Sequence, residues 1–192
     1  MSRISSFVDR APVKAPAALY TDRLLLRRPQ PGDAPAIFQR FAADPEVTRF
    51  VGWARHRSVA DTEAFIAFSN AEWERWPAGP YLVLSRDDGT VVGSSGLQFE
   101  TPHRAATGYV FAQDAWGKGY ASETLRAMAE LAPRLAVRRL YALCHTDHRA
   151  SWRVLEKCRF VREGTLRKYA DFPNLDQGTI ADVFCYAMVF DG

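Results

Sequence analysis

Residues 117–119 read Gly-Lys-Gly, between the apolar extended stretch "TGYVFA" and the helix-forming "YASETLRAMAELAPRL". A helix start leaves about four backbone N–H groups without partners, and the aligned peptide dipoles add positive potential there. An anion fits such a site, a phosphate above all, when no side chain stands in the way. Gly117 and Gly119 lack the Cβ atoms that would hold a phosphate off, and Lys118 adds a positive charge. A tight turn without a ligand fits two glycines equally well. Two familiar phosphate motifs do not fit. A P-loop needs its first glycine where Ala112 stands and a hydroxyl residue where Gly119 stands. A dinucleotide fingerprint needs Gly or Ala where Ser122 stands, and an acidic residue near Arg138 and Arg139.

The elements that must position this turn follow from periodicity. "DRLLLRRP" alternates as a strand ended by Pro29. Asp33 reads as a helix cap with Ile37, Phe38 and Phe41 on one face, and Ser58 with Asp61 opens a second helix carrying Phe65, Ile66, Trp73 and Trp76. "YLVLS", "VVGSSGLQF" and "TGYVFA" read as three strands. A helix follows with Ala121, Leu125, Met128, Leu131 and Leu135, then the strand "RRLYALCH". Asp147 or His148 opens the next helix, and "FVREGTLRKY" and "ADVFCYAMVF" form a closing pair. The order gives one α/β domain over 19–192, with a mixed, mostly antiparallel sheet of about seven strands and flanking helices. Residues 1–18, rich in Ala and Pro, read as a flexible lead-in.

Composition narrows the class. The 192 residues carry a net charge of only +3, with no basic stripe for nucleic acid. No apolar run reaches the roughly 20 residues needed to span a bilayer, and the start lacks a signal-peptide pattern. Cys144, Cys158 and Cys185 are odd in number and lie in apolar surroundings. They read as free buried thiols of a cytoplasmic protein, and no metal-ligand cluster accompanies them.

The segment "GYVFAQDAWGKGYASETL" resembles the coenzyme-A motif of the GNAT acetyltransferase superfamily, Arg/Gln-x-x-Gly-x-Gly/Ala, with Trp116, Gly119 and Ala121 in those places. Trp at the first position, "WGKGYA" and Glu123 are similar to the branch containing the ribosomal-protein N-terminal acetyltransferases. "LYTDRLLLRRPQPGD", "HRASWRVLEKCRFVREG" and "LRKYADFPNLDQGTIADVFCYAMV" resemble further segments of that branch, in the same order. The resemblance implies direct transfer of acetyl from acetyl-CoA to an amine through a tetrahedral intermediate, with no metal. A bulge would splay the strand before the turn, and pantetheine would pair with Tyr109, Val110 and Phe111. A backbone N–H of Val110 or Phe111 would hold the oxyanion. The amides of Gly117, Lys118, Gly119, Tyr120, Ala121 and Ser122 would hold the pyrophosphate.

The resemblance also shows departures. Leu155 stands where many members have an acidic tyrosine. Ser151 matches the serine of the resembled branch, whose hydroxyl would donate to the CoA thiolate. His148 replaces an Asn that would contact pantetheine. Ala106 stands where a general-base Glu is common, leaving Glu100 and His103 at the preceding turn as the nearest candidates, with Glu100 the assigned base. Asp182 reads as a structural anchor, Arg159 in place of Gly implies an altered turn, and Arg149 and Arg153 are candidates for the 3′-phosphate. Trp53, His56, Tyr169, Asp171, Phe172 and Asn174 flank the expected acceptor side. The acceptor would be a small-molecule amine or a protein N-terminus, and the protein a monomer or homodimer. A weakly catalytic, acyl-CoA-binding regulatory module is the alternative.

Overall fold

Leu24 and Leu26 alternate with half-exposed neighbours and are fully buried, which makes Leu24–Arg27 (β2) a strand with one face on the core. In the computed structural model, which describes residues 13–175 and 180–191, β2 is the second of eight strands in a single sheet. The first is Ala18–Tyr20 (β1), a three-residue edge strand beyond those read from the sequence. Residues 1–12 of the lead-in lie outside the described residues. Its last part is held: the Ala15 N–H donates to Pro77 O at 2.8 Å and the Tyr81 hydroxyl to Pro16 O at 2.8 Å.

The remaining strands are Pro80–Ser85 (β3), Val91–Thr101 (β4), Arg104–Phe111 (β5), Arg139–His145 (β6), Val161–Asp171 (β7) and Ile180–Val189 (β8). Their spatial order is β1-β2-β3-β4-β5-β6-β8-β7, and every neighbouring pair is antiparallel except β5–β6. The parallel pair follows from the helix joining its two strands, Tyr120–Arg134 (α4), whose crossover returns the chain in the same direction.

Asp33 stands at the N-cap position of a helix as the sequence suggests, but its side chain makes no capping bond to that helix. Helical structure begins earlier, with a 3-10 turn at Pro31–Asp33 that runs into Ala34–Ile37 (α1) and a π turn at Phe38–Ala42. The Asp33 carboxylate reaches back to the Gln30 N–H at 2.7 Å and pairs with Arg27. Pro45–Thr48 (α2) follows, capped by Asp44. Val59–Arg75 (α3) starts as expected, with Ser58 and Asp61 forming a reciprocal capping box. Its buried residues, Thr62, Ile66, Ser69 and Trp73, follow one helical stripe, and Trp76 ends the helix.

Helix α4 and Arg149–Lys157 (α5) cover one face of the sheet, where Leu125, Met128, Leu131 and Leu155 pack with Ala105, Leu140 and Ala142. Helices α1–α3 cover part of the other face through Ile37, Phe41, Ile66 and Leu82. Arg159 ends α5 at φ 67°, so the turn keeps the left-handed geometry that glycine favours, now carried by an arginine. Asp182 is the anchor expected of it: its carboxylate accepts the Lys168 N–H at 2.8 Å, inside an irregular stretch of β7 where Lys168 has φ 46°. Among the described residues, no helix is long and apolar enough to cross a membrane.

Leu125 is fully buried one turn into α4 and fixes that helix to the sheet. Leu125→Ala is expected to lower unfolding free energy by about 2–5 kcal/mol, measured as a shift of the urea midpoint at unchanged m-value.

Candidate active site

Strands β5 and β6 pair over three residues only, Arg104↔Arg139, Ala105↔Leu140 and Ala106↔Tyr141. Beyond Ala106 they part, while β5 stays in unbroken register with β4 from Ala105 to Phe111. The expected bulge in this part of β5 is therefore not what opens the sheet. The only register shift against β4 lies at the hairpin, between Phe99 and Thr101.

Alternation along an antiparallel ladder decides which backbone groups face the opening. The Ala112 N–H donates to Val92 O, so even-numbered residues of β5 bond to β4. On the other side the Arg139 N–H donates to His103 O, so odd-numbered residues face β6. Tyr109 and Phe111 thus direct their main-chain groups into the opening, whereas Val110 is spent on Ser94. Of the two oxyanion donors expected, only Phe111 points the right way. Its carbonyl is already taken by the Trp116 indole N–H at 2.7 Å.

The Gly-Lys-Gly turn sits at the end of this opening. Gly117 has φ 74° and Gly119 φ 81°, both in the left-handed region, and Gly119 is the N-cap of α4. A Cβ on Gly117 would meet open space. A Cβ on Gly119 would stand 3.5 Å from Arg23 Nη2, so what the two positions share is the left-handed backbone that glycine permits. The first helical N–H groups, of Tyr120, Ala121 and Ser122, project from the helix start, and all three residues line the cleft. Lys118 does not line it. That residue borders a separate shallow hollow with Asp87, Asp88 and Asp114, and its carbonyl accepts the Arg23 guanidinium at 2.9 Å.

Arg23 also grips Glu123, through its backbone N–H at 2.9 Å and its Nε at 2.8 Å, and lies over the Tyr120 ring at 4.9 Å. The Thr21 hydroxyl donates to the same carboxylate at 2.6 Å. Burial pushes the Glu123 carboxyl up, but the Thr21 and Arg23 donors outweigh it and hold it below the usual range. On the other side, Arg40 pairs with Asp114 at 2.7 Å and Gln113 with Asp44. The cradle is thus clamped from both flanks.

The whole opening forms a cleft of about 1030 Å³. Tyr109, Val110, Phe111, Trp116, Gly117, Gly119, Tyr120, Ala121, Ser122, His148 and Ser151 all line it. From α5 come Arg153 and Lys157, four residues apart and so on one helical face. Arg149 is not among the lining residues. Glu156 is turned to Tyr186, whose hydroxyl it accepts at 2.9 Å.

Glu100 does not join this group. It lies where β5 and β6 are still paired, with its two carboxylate oxygens engaged by Arg104 and the Tyr141 hydroxyl. Glu100 is not among the residues that line the cleft. His103 sits at the same turn, its Nδ1 3.2 Å from Ala136 O. The carboxylates that do line the cleft are Glu46, on α2, and Glu72, on the expected α3, neither of them singled out from the sequence.

His145 was also missed, being only the last residue of an alternating strand. It lines the cleft and is buried, with Phe50 at 4.9 Å and Phe172 edge-on at 4.9 Å. Its Nδ1 accepts the Asp147 N–H at 3.1 Å, which places the proton of the neutral ring on Nε2. Phe50 stacks on His148 at 4.8 Å, and His148 makes no side-chain hydrogen bond among the described residues. Burial, and then the neighbouring His145, push His148 below the usual imidazole value.

Trp53 and His56 line the cleft, with the His56 Nδ1 2.8 Å from the Thr62 hydroxyl. Tyr169, Asp171, Phe172 and Asn174 do not line the cleft. Phe172 is a buried anchor against His145, and Tyr169 is exposed. Asn174 is a staple: its amide donates to Thr48 O and Trp53 O, and its carbonyl oxygen accepts the Arg55 N–H, each at 2.8 Å. Residues 176–179 of this loop lie outside the described residues.

A strand pair that opens onto a glycine-rich helix start suits an elongated ligand that ends in phosphates. The family profile described as "Acetyltransferase (GNAT) domain" matches residues 23–161. The uncharacterized N-acetyltransferase YoaA of Bacillus subtilis is 32% identical over 174 residues, covering 89% of this chain and 96% of its own. Among solved structures, the microcin C7 self-immunity acetyltransferase MccE, in complex with acetyl-CoA and AMP, superposes at TM-score 0.81 with 18% identity, covering 93% and 99% of the two chains. A Salmonella typhimurium acetyltransferase that modifies the N-terminal serine of ribosomal protein L7/L12 superposes at 0.78 with 23% identity, covering 89% and 97%. The chain belongs to the GNAT acetyltransferase family and is an acetyl-CoA-dependent acyltransferase.

Two outcomes follow from the site's construction. Glu123→Gln removes the charge that Arg23 holds, so the affinity for coenzyme A, read by calorimetry, is expected to fall about three- to tenfold. His148 and His56 both have folded values below their unfolded 6.5. The stability they contribute is present above that value and lost as pH falls through the folded values, because the unfolded chain binds protons first. The urea midpoint is expected to drop between about pH 7 and 5, and His148→Gln to flatten that slope.

Proposed function

We propose that this protein moves the acetyl group of acetyl-CoA directly to a primary amine, on a small molecule or a protein N-terminus. The observation that carries the reading is the opening between β5 and β6, with a clamped anion cradle at its end and Ser151 on its wall. The residues present suit acetyl-CoA. Tyr109 and Phe111 offer main-chain groups that a pantetheine arm can pair with, in place of the missing strand. The N–H groups at the start of α4 suit a pyrophosphate, and Arg153 and Lys157 suit the 3′-phosphate.

Bound acetyl-CoA supplies an acetyl group already activated as a thioester. The Phe111 N–H donates to the acetyl oxygen and gains strength as negative charge grows there. Ser151 donates a hydrogen bond to the departing sulfur. His148 stays neutral near pH 7 and, with Glu72, presents a proton acceptor to the cleft for the incoming ammonium group. The walls from Phe50 to Trp53, held by the Asn174 staple, fix the amine's approach.

Ser151→Ala is expected to lower kcat by roughly 10- to 100-fold while the acetyl-CoA dissociation constant stays within about twofold. The assay follows thiol release from acetyl-CoA across a panel of amines and N-terminal peptides. Wild-type turnover in Ser151→Ala removes the serine from the mechanism. Acetyl-CoA binding without thiol release for any amine points instead to a regulatory binding module.

A further inference from the structure

Helix α5 carries no phenol of its own: Leu155 is fully buried and apolar. A phenol nevertheless reaches this helix one turn earlier, from the facing strand. The Tyr109 hydroxyl lies 3.0 Å from Ser151 Oγ and 2.9 Å from the Ser151 carbonyl oxygen. Two arrangements of the two hydroxyl protons satisfy these distances. In one, Tyr109 donates to the carbonyl and Ser151 donates to the Tyr109 oxygen, so both protons are consumed internally. In the other, the Tyr109 proton is shared between the Ser151 carbonyl and Ser151 Oγ as a three-centre bond, and the serine proton is free to turn into the cleft. Only the second arrangement lets Ser151 donate to a sulfur.

We infer that Tyr109 is a positioning residue that donates to Ser151 Oγ and thereby aims the serine hydroxyl at the departing thiolate of coenzyme A. The inference rests on the acetyl-transfer reading above. As the carbon–nitrogen bond forms, the electron pair of the carbon–sulfur bond passes to sulfur. The ammonium proton leaves to the amine's base, and the two hydroxyl protons stay on their own oxygens. A chain of two donors polarises the second one, so the serine bond to sulfur is stronger than an isolated hydroxyl would make.

The surroundings suit that task. Burial holds the Tyr109 phenol above its usual range, with Ser151 pulling it down and Cys144 and Cys158 adding to the rise, so it remains a donor.

Tyr109→Phe keeps the ring and removes the donor. It is expected to lower kcat about tenfold with little change in KM for acetyl-CoA or in melting temperature. In the binary complex with coenzyme A, followed by thiolate absorbance, it is expected to raise the thiol pKa by about one unit. The double variant with Ser151→Ala is expected to be no slower than Ser151→Ala alone. Unchanged kcat and thiol pKa in Tyr109→Phe, while Ser151→Ala loses both, would overturn the inference and leave the acetyl-transfer reading standing. Additive losses in the double variant, or weaker coenzyme binding with an unmoved thiol pKa, would also overturn it. If Ser151→Ala itself matches wild type, the serine mechanism fails first and Tyr109 falls with it.

Discussion

The point where β5 and β6 cease to pair is the constraint on which the site depends. A parallel ladder satisfies every main-chain group along its length, and a ladder that stops after three residue pairs leaves the rest exposed. Tyr109 and Phe111 stand on that unsatisfied edge. Water can occupy it, but a ligand with amide groups of its own replaces water without loss of hydrogen bonds. Unbroken pairing of β5 with β4 on the other side keeps the edge straight. The sheet is therefore rigid where a long, flexible arm has to be held in one conformation.

The cradle extends the same logic from amides to charge. Its N–H groups attract an anion only while the helix start stays where it is, and both glycines are in conformations that a loose turn would abandon. Arg23 and Glu123 hold one flank by bonding the Lys118 carbonyl and the first turn of α4 together. Arg40 and Asp114 hold the other. Exposed ion pairs of this kind contribute little to global stability. Their effect is local: they fix the direction in which the backbone donors point.

Local signals made much of this legible. Ser58 with Asp61 announced α3 because a capping box is written within four residues, and the turn at Gly117 and Gly119 announced the start of α4 for the same reason. β1 was invisible: three residues after a proline carry no period. Longer-range geometry was not readable either. Glu100 was assigned a role by its nearness in sequence to the site, but Tyr141, 41 residues away, occupies its carboxylate. Tyr109 was read for its backbone, while its hydroxyl meets a residue 42 positions later. The choice of Phe111 over Val110 as donor depends on ladder parity, which a strand's sequence does not specify. Arg159 gave the reverse lesson. A side chain that disfavours a left-handed turn was placed in one because the surrounding packing dictates the backbone.

The two halves of the cleft are built under different constraints. On the proposed reading, coenzyme contacts would come from main-chain groups of β5 and α4, which many side chains can surround without altering them. Acceptor contacts would come from side chains: Phe50, Trp53 and His56 on one wall, Leu143 and His145 on the other. Asn174 ties the first of these walls through three backbone groups of the Thr48–Arg55 stretch, a fastening separate from the cradle's. Substitutions in the wall can then change which amine is admitted while the thioester stays in place. On the proposed reading, the geometry of the cradle would fix how the acetyl group is carried, and Phe50, Trp53 and the loop that pins them would select the amine.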